Sequence, residues 1–149
     1  MKETKKAMAR KDPYKDFRFQ VEIDGIPSSR FLECTGIGSE VAVIEYREGG
    51  DPTAVHKLPG RASYSDITLK RGITESHDLY DWHHALLSGT NDRRSGRITL
   101  LDDEGAEVVR WAFSEAWPRK YEGPSLNAMG NEVAIETFVL TCESIERIT

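Results

Sequence analysis

Residues 15–24, KDFRFQVEID, alternate without a break. Phe17, Phe19, Val21 and Ile23 point one way, and Asp16, Arg18, Gln20 and Glu22 point the other. A period of two over this length is a half-buried β-strand. The pattern recurs along the chain. RFLECTG (30–36) reads as a short second strand and SEVAVIEYRE (39–48) as a third, with apolar residues on both faces of its first half. SYSDITLKRG (63–72) is a fourth, with Ile67 and Leu69 opposed to Asp66, Thr68 and Lys70. Residues 96–118 predict a hairpin turning on Asp102–Gly105, with Val109, Trp111 and Phe113 as its inward row. Residues 131–148 predict a long last strand whose apolar parity shifts between Ile135 and Phe138, as a β-bulge would produce. The count is about seven strands.

One stretch breaks the two-residue period. In SHDLYDWHHALLSG (76–89), Leu79, Trp82, His83, Leu86 and Leu87 recur at helical spacing. Ser76 is placed to cap this helix, Asp78 and Asp81 suit its positive end, and Gly89 can terminate it. Many strands with a single helix predict a mainly β fold: an antiparallel barrel or sandwich with one flanking helix.

The 149 residues suffice for one domain, read as residues 13–149 after a basic tail at 1–12. Net charge is −5, but residues 1–11 hold five cations against one anion, so the remainder is acidic. An acidic body argues against nucleic-acid binding, which needs a basic face to release counterions. No apolar run approaches the roughly 18 residues of a membrane span.

Convergent chemistry is hard to find. GGDPTAVHKLPGR (49–61) has the glycines of a phosphate loop, but not the spacing, and no helix follows it. His77 is too far from His83 and His84 for one metal-binding helix face, and His56 is remote in sequence. Cys34 and Cys142 lack a CxxC partner and read as unpaired reduced thiols. These spacings predict no catalytic set, no metal and no cofactor.

Two features remain. The segment from Glu48 to Arg61 is a long polar excursion, and a fold with so many strands has edges that must pair or be covered. The residues alone leave room for a monomeric β-barrel ligand-binding module, or a small enzyme, with this loop capping its site.

Several blocks decide between these readings by resemblance. DPYKDFRFQVEIDG, YREGGDP…HKLPGR, YSDITLKRGIT, LDDEGAEVVRWAFSEAWPRKYEGPSLNA and NEVAIETFVLTCE resemble the tail tube proteins of contractile phages. They are closer to the inner tube proteins of phage-like contractile injection systems, which are similar to the haemolysin-coregulated protein of type VI secretion. The order and spacing of the blocks carry the resemblance from Pro13 onward.

The resemblance implies a structural protein without enzymatic activity. Strands of six subunits would pair into a closed ring, and rings would stack into a hollow tube. A sheath would surround the tube, baseplate or spike and terminator proteins would close its ends, and cargo would travel in the lumen. Assembly would take place in the bacterial cytoplasm, within a phage tail or a phage-like particle.

The resemblance also gives the excursion a role. Glu48, Gly49, Gly50, Asp51, Pro52, Lys57, Leu58, Pro59, Gly60 and Arg61 would form an extended loop contacting the adjacent ring. The glycines would let it leave the strand, and the prolines would stiffen it. The lumen of a large barrel is wet, so its lining must be polar. Asp16, Arg18, Gln20 and Glu22, with Asp66, Thr68 and Lys70, are the rows expected to face it.

Overall fold

In the structure, a computed structural model, residues 12–16, 18–50 and 53–149 are described. Phe17, Asp51, Pro52 and the basic tail up to residue 11 lie outside the described residues. The chain forms β1 (Phe19–Ile23), β2 (Ile26–Ser29), β3 (Glu33–Thr35), β4 (Ser39–Tyr46), β5 (His56–Tyr64) and β6 (Ile67–Gly72). Helix α1 (Asp78–Leu87) follows, then β7 (Arg94–Leu101), β8 (Glu107–Glu122), β9 (Ile135–Thr141) and β10 (Ser144–Arg147).

Neighbouring strands run β2-β1-β7-β8-β9-β6-β3, with β10 also on β8 and every pairing antiparallel. Strand β8 serves both halves. Glu107–Ala116 pairs with β7, and Trp117–Glu122 pairs with β9. Near the end of the first segment Glu115 takes φ +52°, a conformation that non-glycine residues seldom adopt. The register also slips between Pro118 and Lys120. An extra residue bends a strand and increases its twist. The two halves therefore fold over one another as an open sandwich.

Val21, Ile23, Ile98 and Phe113 of one half share a core with Ile67, Leu69, Phe138 and Leu140 of the other. Helix α1 adds Leu79 and Trp82 to it. Trp82 buries its ring, donates Nε1–H to the Asp92 carbonyl at 2.7 Å, and lies 5.1 Å under the Arg94 guanidinium. Its one polar atom is thus satisfied inside.

Some expectations change. Ser76 does not cap α1: His77 is the N-cap residue, and the Ser76 hydroxyl instead bonds the Asp78 carboxylate at 2.9 Å. Leu87 is 70% exposed. It follows Leu86 by about 100° round the helix, which carries it off the buried face. Gly89 does terminate the helix, with φ +93° and its N–H on the Leu86 carbonyl. Trp111 is only partly buried, although Val109 and Phe113 of the same row are fully inside. The predicted second strand, 30–36, shortens to β3, β2 forms ahead of it where no strand was expected, and the last strand divides into β9 and β10.

The expected bulge between Ile135 and Phe138 is absent. Register between β6 and β9 is regular from Ile67↔Leu140 to Gly72↔Ile135. The inward row runs Leu140, Phe138, Glu136, and Ile135 faces out. Glu136 holds a place read as apolar because Arg71, equally buried on β6, meets it at 2.6 Å. Tyr121 Oη–H donates to the other carboxylate oxygen at 3.2 Å. A charge is tolerated in a core only when it is paired and hydrogen-bonded in this way.

Candidate assembly surfaces

The segment read as a long loop is half strand. β4 and β5 pair as a separate two-stranded hairpin, so Lys57, Leu58, Pro59, Gly60 and Arg61 belong to β5. Pairs run from Ser39↔Tyr64 at the base to Tyr46↔His56, with a slip between Val41 and Val43. Gly60 lies beside that slip, where an added Cβ would sit 3.1 Å from both the Ala42 carbonyl and Ile44. Pro59 is tolerated because a strand outside the main sheet has solvent beside it. Glu48, Gly49 and Gly50 lie in the turn; nothing lies within 4 Å of a Cβ placed at either glycine.

All eight residues of β4 are exposed. Register sets Ile44 beside Leu58 and Tyr46 beside His56 on one face, and Glu45 beside Lys57 on the other. A two-stranded hairpin is marginal alone. This one is anchored at its base, where Tyr64 packs on the core and β5 touches β10. Its apolar residues Val41, Val43, Ile44, Tyr46 and Leu58 add nothing to that core.

The two expected polar rows fall on different halves of the sandwich. Gln20 and Glu22 lie on the outer face of β1, continued by Thr99 and Arg97 of β7. Arg97 meets Glu22 at 2.5 Å, which holds its guanidinium above the usual range. Arg18 precedes β1 and donates to the Asp103 carbonyl at 2.8 Å, and Asp16 also lies before the strand. Thr68 and Lys70 lie on the outer face of β6, and Lys70 meets Glu33 of β3 at 3.3 Å. Asp66, just ahead of β6, accepts from Arg119 at 2.5 Å and from Thr141 at 2.9 Å. The Arg119 contact holds its carboxyl below the usual range. The two rows flank one core from opposite sides.

Chemical groups stay dispersed. Burial pushes the Cys34 thiol up to about 12, and burial with the nearby Asp66 charge raises that of Cys142. Both are free thiols, and high values disfavour the nucleophilic thiolate. His77 Nδ1 meets Asp81 at 2.8 Å, and His83 Nδ1 meets the Pro118 carbonyl at 2.8 Å. Among the described residues no three His, Cys, Asp or Glu side chains converge as metal ligands. An open cleft of about 520 Å³ at the sandwich mouth is lined by Phe19, Leu32, Cys34, Ile98, Leu100 and Trp111, with only Asp16, Glu33 and Thr35 as polar groups. Among the described residues no helix is long and apolar enough to cross a membrane.

A surface missed by the sequence reading lies in residues 123–134. Leu126 is 85% exposed, Met129 95% and Val133 74%. Gly, Pro, Ser and Asn around them read as ordinary turn chemistry, and no periodicity marks the apolar positions.

This architecture matches known proteins. The chain has a TM-score of 0.85 and 26% identity to a protein of the PVC sheath-tube complex, from an extracellular contractile injection system in the extended state; 96% of each chain is covered. It has a TM-score of 0.86 and 27% identity to a protein of the anti-feeding prophage tube-terminating cap, covering 95% of this chain and 94% of that one. Hcp1 from Flavobacterium johnsoniae shares the fold at a TM-score of 0.59 and 18% identity, over 87% of this chain and 93% of that one. No curated protein sequence matches. The family model of the T4-like virus tail tube protein gp19 covers residues 15–146, from before β1 into β10. With sandwich, helix and free hairpin all inside that match, the chain belongs to the T4-like virus tail tube protein family.

Proposed function

We propose that this chain is the repeating inner-tube subunit of a contractile injection particle or contractile phage tail. Six copies close a ring by pairing strands across subunit boundaries. Rings stack into a hollow tube inside a sheath, with baseplate or spike proteins at one end and a terminator at the other. Cargo passes through the lumen, and the subunit performs no catalysis. Subunits assemble in the bacterial cytoplasm.

The observation that carries this reading is the β4–β5 hairpin: an exposed apolar arm held outside the core of a tail tube family member. Hydrophobic residues displayed this way favour association over solvation. Ring closure also removes the edges at β2 and β3. One polar row, Gln20 and Glu22 or Thr68 and Lys70, lines the wet lumen. The hairpin, with Glu48, Gly49 and Gly50 in its turn, reaches the adjacent ring. Contacts repeated by every subunit around a ring turn weak pairs into a strong joint.

The similar chains from sheath-tube and tube-cap assemblies support partners of the same kinds here. No observation favours the monomeric ligand-binding module or small enzyme. Negative-stain electron microscopy and sizing chromatography of the purified chain test the proposal. Rings or tubes are expected; a stable monomer of 16.8 kDa overturns it.

A further inference from the structure

The molecule carries two exposed apolar projections, and strand β6 relates them. The hairpin joins β6 at its start: Ser65 N–H bonds the Gly38 carbonyl at the hairpin base, and β6 begins at Ile67. The 123–134 loop sits at its finish: Gly72 pairs with Ile135, and Ile73 N–H bonds the Ala134 carbonyl. Six residues of strand, about 20 Å, separate the two points. Leu126, Met129 and Val133 thus project from one end of the sheet, beside exposed Ile73. The hairpin row Ile44, Tyr46 and Leu58 leaves from the other.

Two different surfaces at opposite ends suit a heterologous, head-to-tail contact, which propagates a stack. An isologous contact would need each surface to pair with itself. Charge opposes that for the loop: residues 121–135 contain Glu122 and Glu132 and no Lys or Arg. The hairpin's charges nearly balance, with Arg47, Lys57 and Arg61 against Glu40, Glu45, Glu48 and Asp51.

We infer that the 123–134 loop is the acceptor for the β4–β5 hairpin of a second copy of this chain in the next ring, with Leu126, Met129 and Val133 receiving the Ile44, Tyr46 and Leu58 face. This rests on the tube reading proposed above and names the receiving half of that joint.

Two variants of the full chain test it. Leu126→Glu/Met129→Glu spoils the acceptor and leaves the hairpin intact. Ile44→Ser/Tyr46→Ser/Leu58→Ser spoils the hairpin and leaves the acceptor intact. Every substituted side chain is exposed or lies in the hairpin, so both variants are expected to keep the wild-type far-UV spectrum. Each alone is expected to give single rings, while wild type gives tubes. Rings prepared separately and then mixed have one functional joint between them. The mixture should give stacks of two rings and no longer ones, counted by electron microscopy and sedimentation. Wild-type-length tubes from the loop variant, or a mixture that stays as single rings, overturn the assignment while the tube reading stands. Loss of rings in the loop variant also overturns it, because the loop then serves a lateral neighbour. A wild-type chain that remains monomeric removes the tube reading itself.

Discussion

The sandwich and the β4–β5 hairpin are made of similar strands, yet they spend their hydrophobic residues differently. In β6 every second residue is buried, and Ile67 and Leu69 lie wholly inside. In β4, Val41, Val43 and Ile44 all face solvent. The first arrangement gains folding free energy within one chain, at roughly 25 cal/mol per Å² of apolar surface. The second leaves the same kind of surface exposed, and under the proposed assembly it serves another chain. The difference predicts that folding and assembly are separable here, and that substitutions should sort by region.

The largest effects belong to the body. Trp82→Ala should cost about 3–5 kcal/mol in denaturant unfolding, the range for a buried aromatic. Unchanged unfolding would mean that α1 does not seal the core. Glu136→Ala should cost a similar 3–5 kcal/mol, because it removes the buried carboxylate that pairs with Arg71. Glu136→Ala combined with Arg71→Met should recover part of that loss; a double variant worse than the single one would show that the pair is not what matters.

Glycines give a finer contrast. At Gly96 an added Cβ would lie 2.4 Å from both the Glu22 carbonyl and the Phe113 ring. Gly96→Ala should therefore cost about 1–3 kcal/mol as an overpacked site. Gly49→Ala, in open space at the hairpin turn, should stay within about 0.5 kcal/mol. Equal effects at the two positions would erase the distinction between the regions.

The smallest effect is electrostatic. Arg119 and Thr141 hold the Asp66 carboxyl below its ordinary value, so the folded state binds its proton less readily than the unfolded state. The stabilisation is fully present above about pH 4, the ordinary carboxylate range, and is lost as pH falls through the lower folded value. The site is partly solvated, so the contribution is under about 1 kcal/mol. Asp66→Asn should make unfolding slightly less sensitive to acid below pH 4. An unchanged acid limb would remove Asp66 from the account.

The body was legible in the sequence because water on one side and core on the other impose a period. Phe19, Val21 and Ile23 announce β1, and Leu79, Trp82 and Leu86 announce α1. The Asp102–Gly105 turn was readable for a local reason: Asp102 Oδ1 accepts from the amides of Glu104 and Ala106, and Gly105 takes φ +86°. Half of the hairpin escaped. A strand with solvent on both faces in the single chain has no alternation to display, and Pro59 and Gly60 read as breakers. Glu136 escaped because parity was counted on apolar residues, and a buried charge is visible only once its partner on another strand is known. Leu126 and Met129 escaped because they stand exposed outside the core, so no period marks them. Block order and spacing, not periodicity, carried the likeness to tail tube proteins.

The separation of folding from assembly is tested most directly by replacing residues 44–58 with a short Gly-Ser linker. Loop-closure entropy changes only slowly with length, so the body should be indifferent to the exchange. Thermal unfolding and electron microscopy of variant and wild type are then compared at equal concentration, with unfolding followed on subunits at a dilution where neither is assembled. The account predicts a soluble variant with the wild-type melting temperature, forming single rings and no tubes. Tubes of normal length, or a variant that no longer folds, would contradict it.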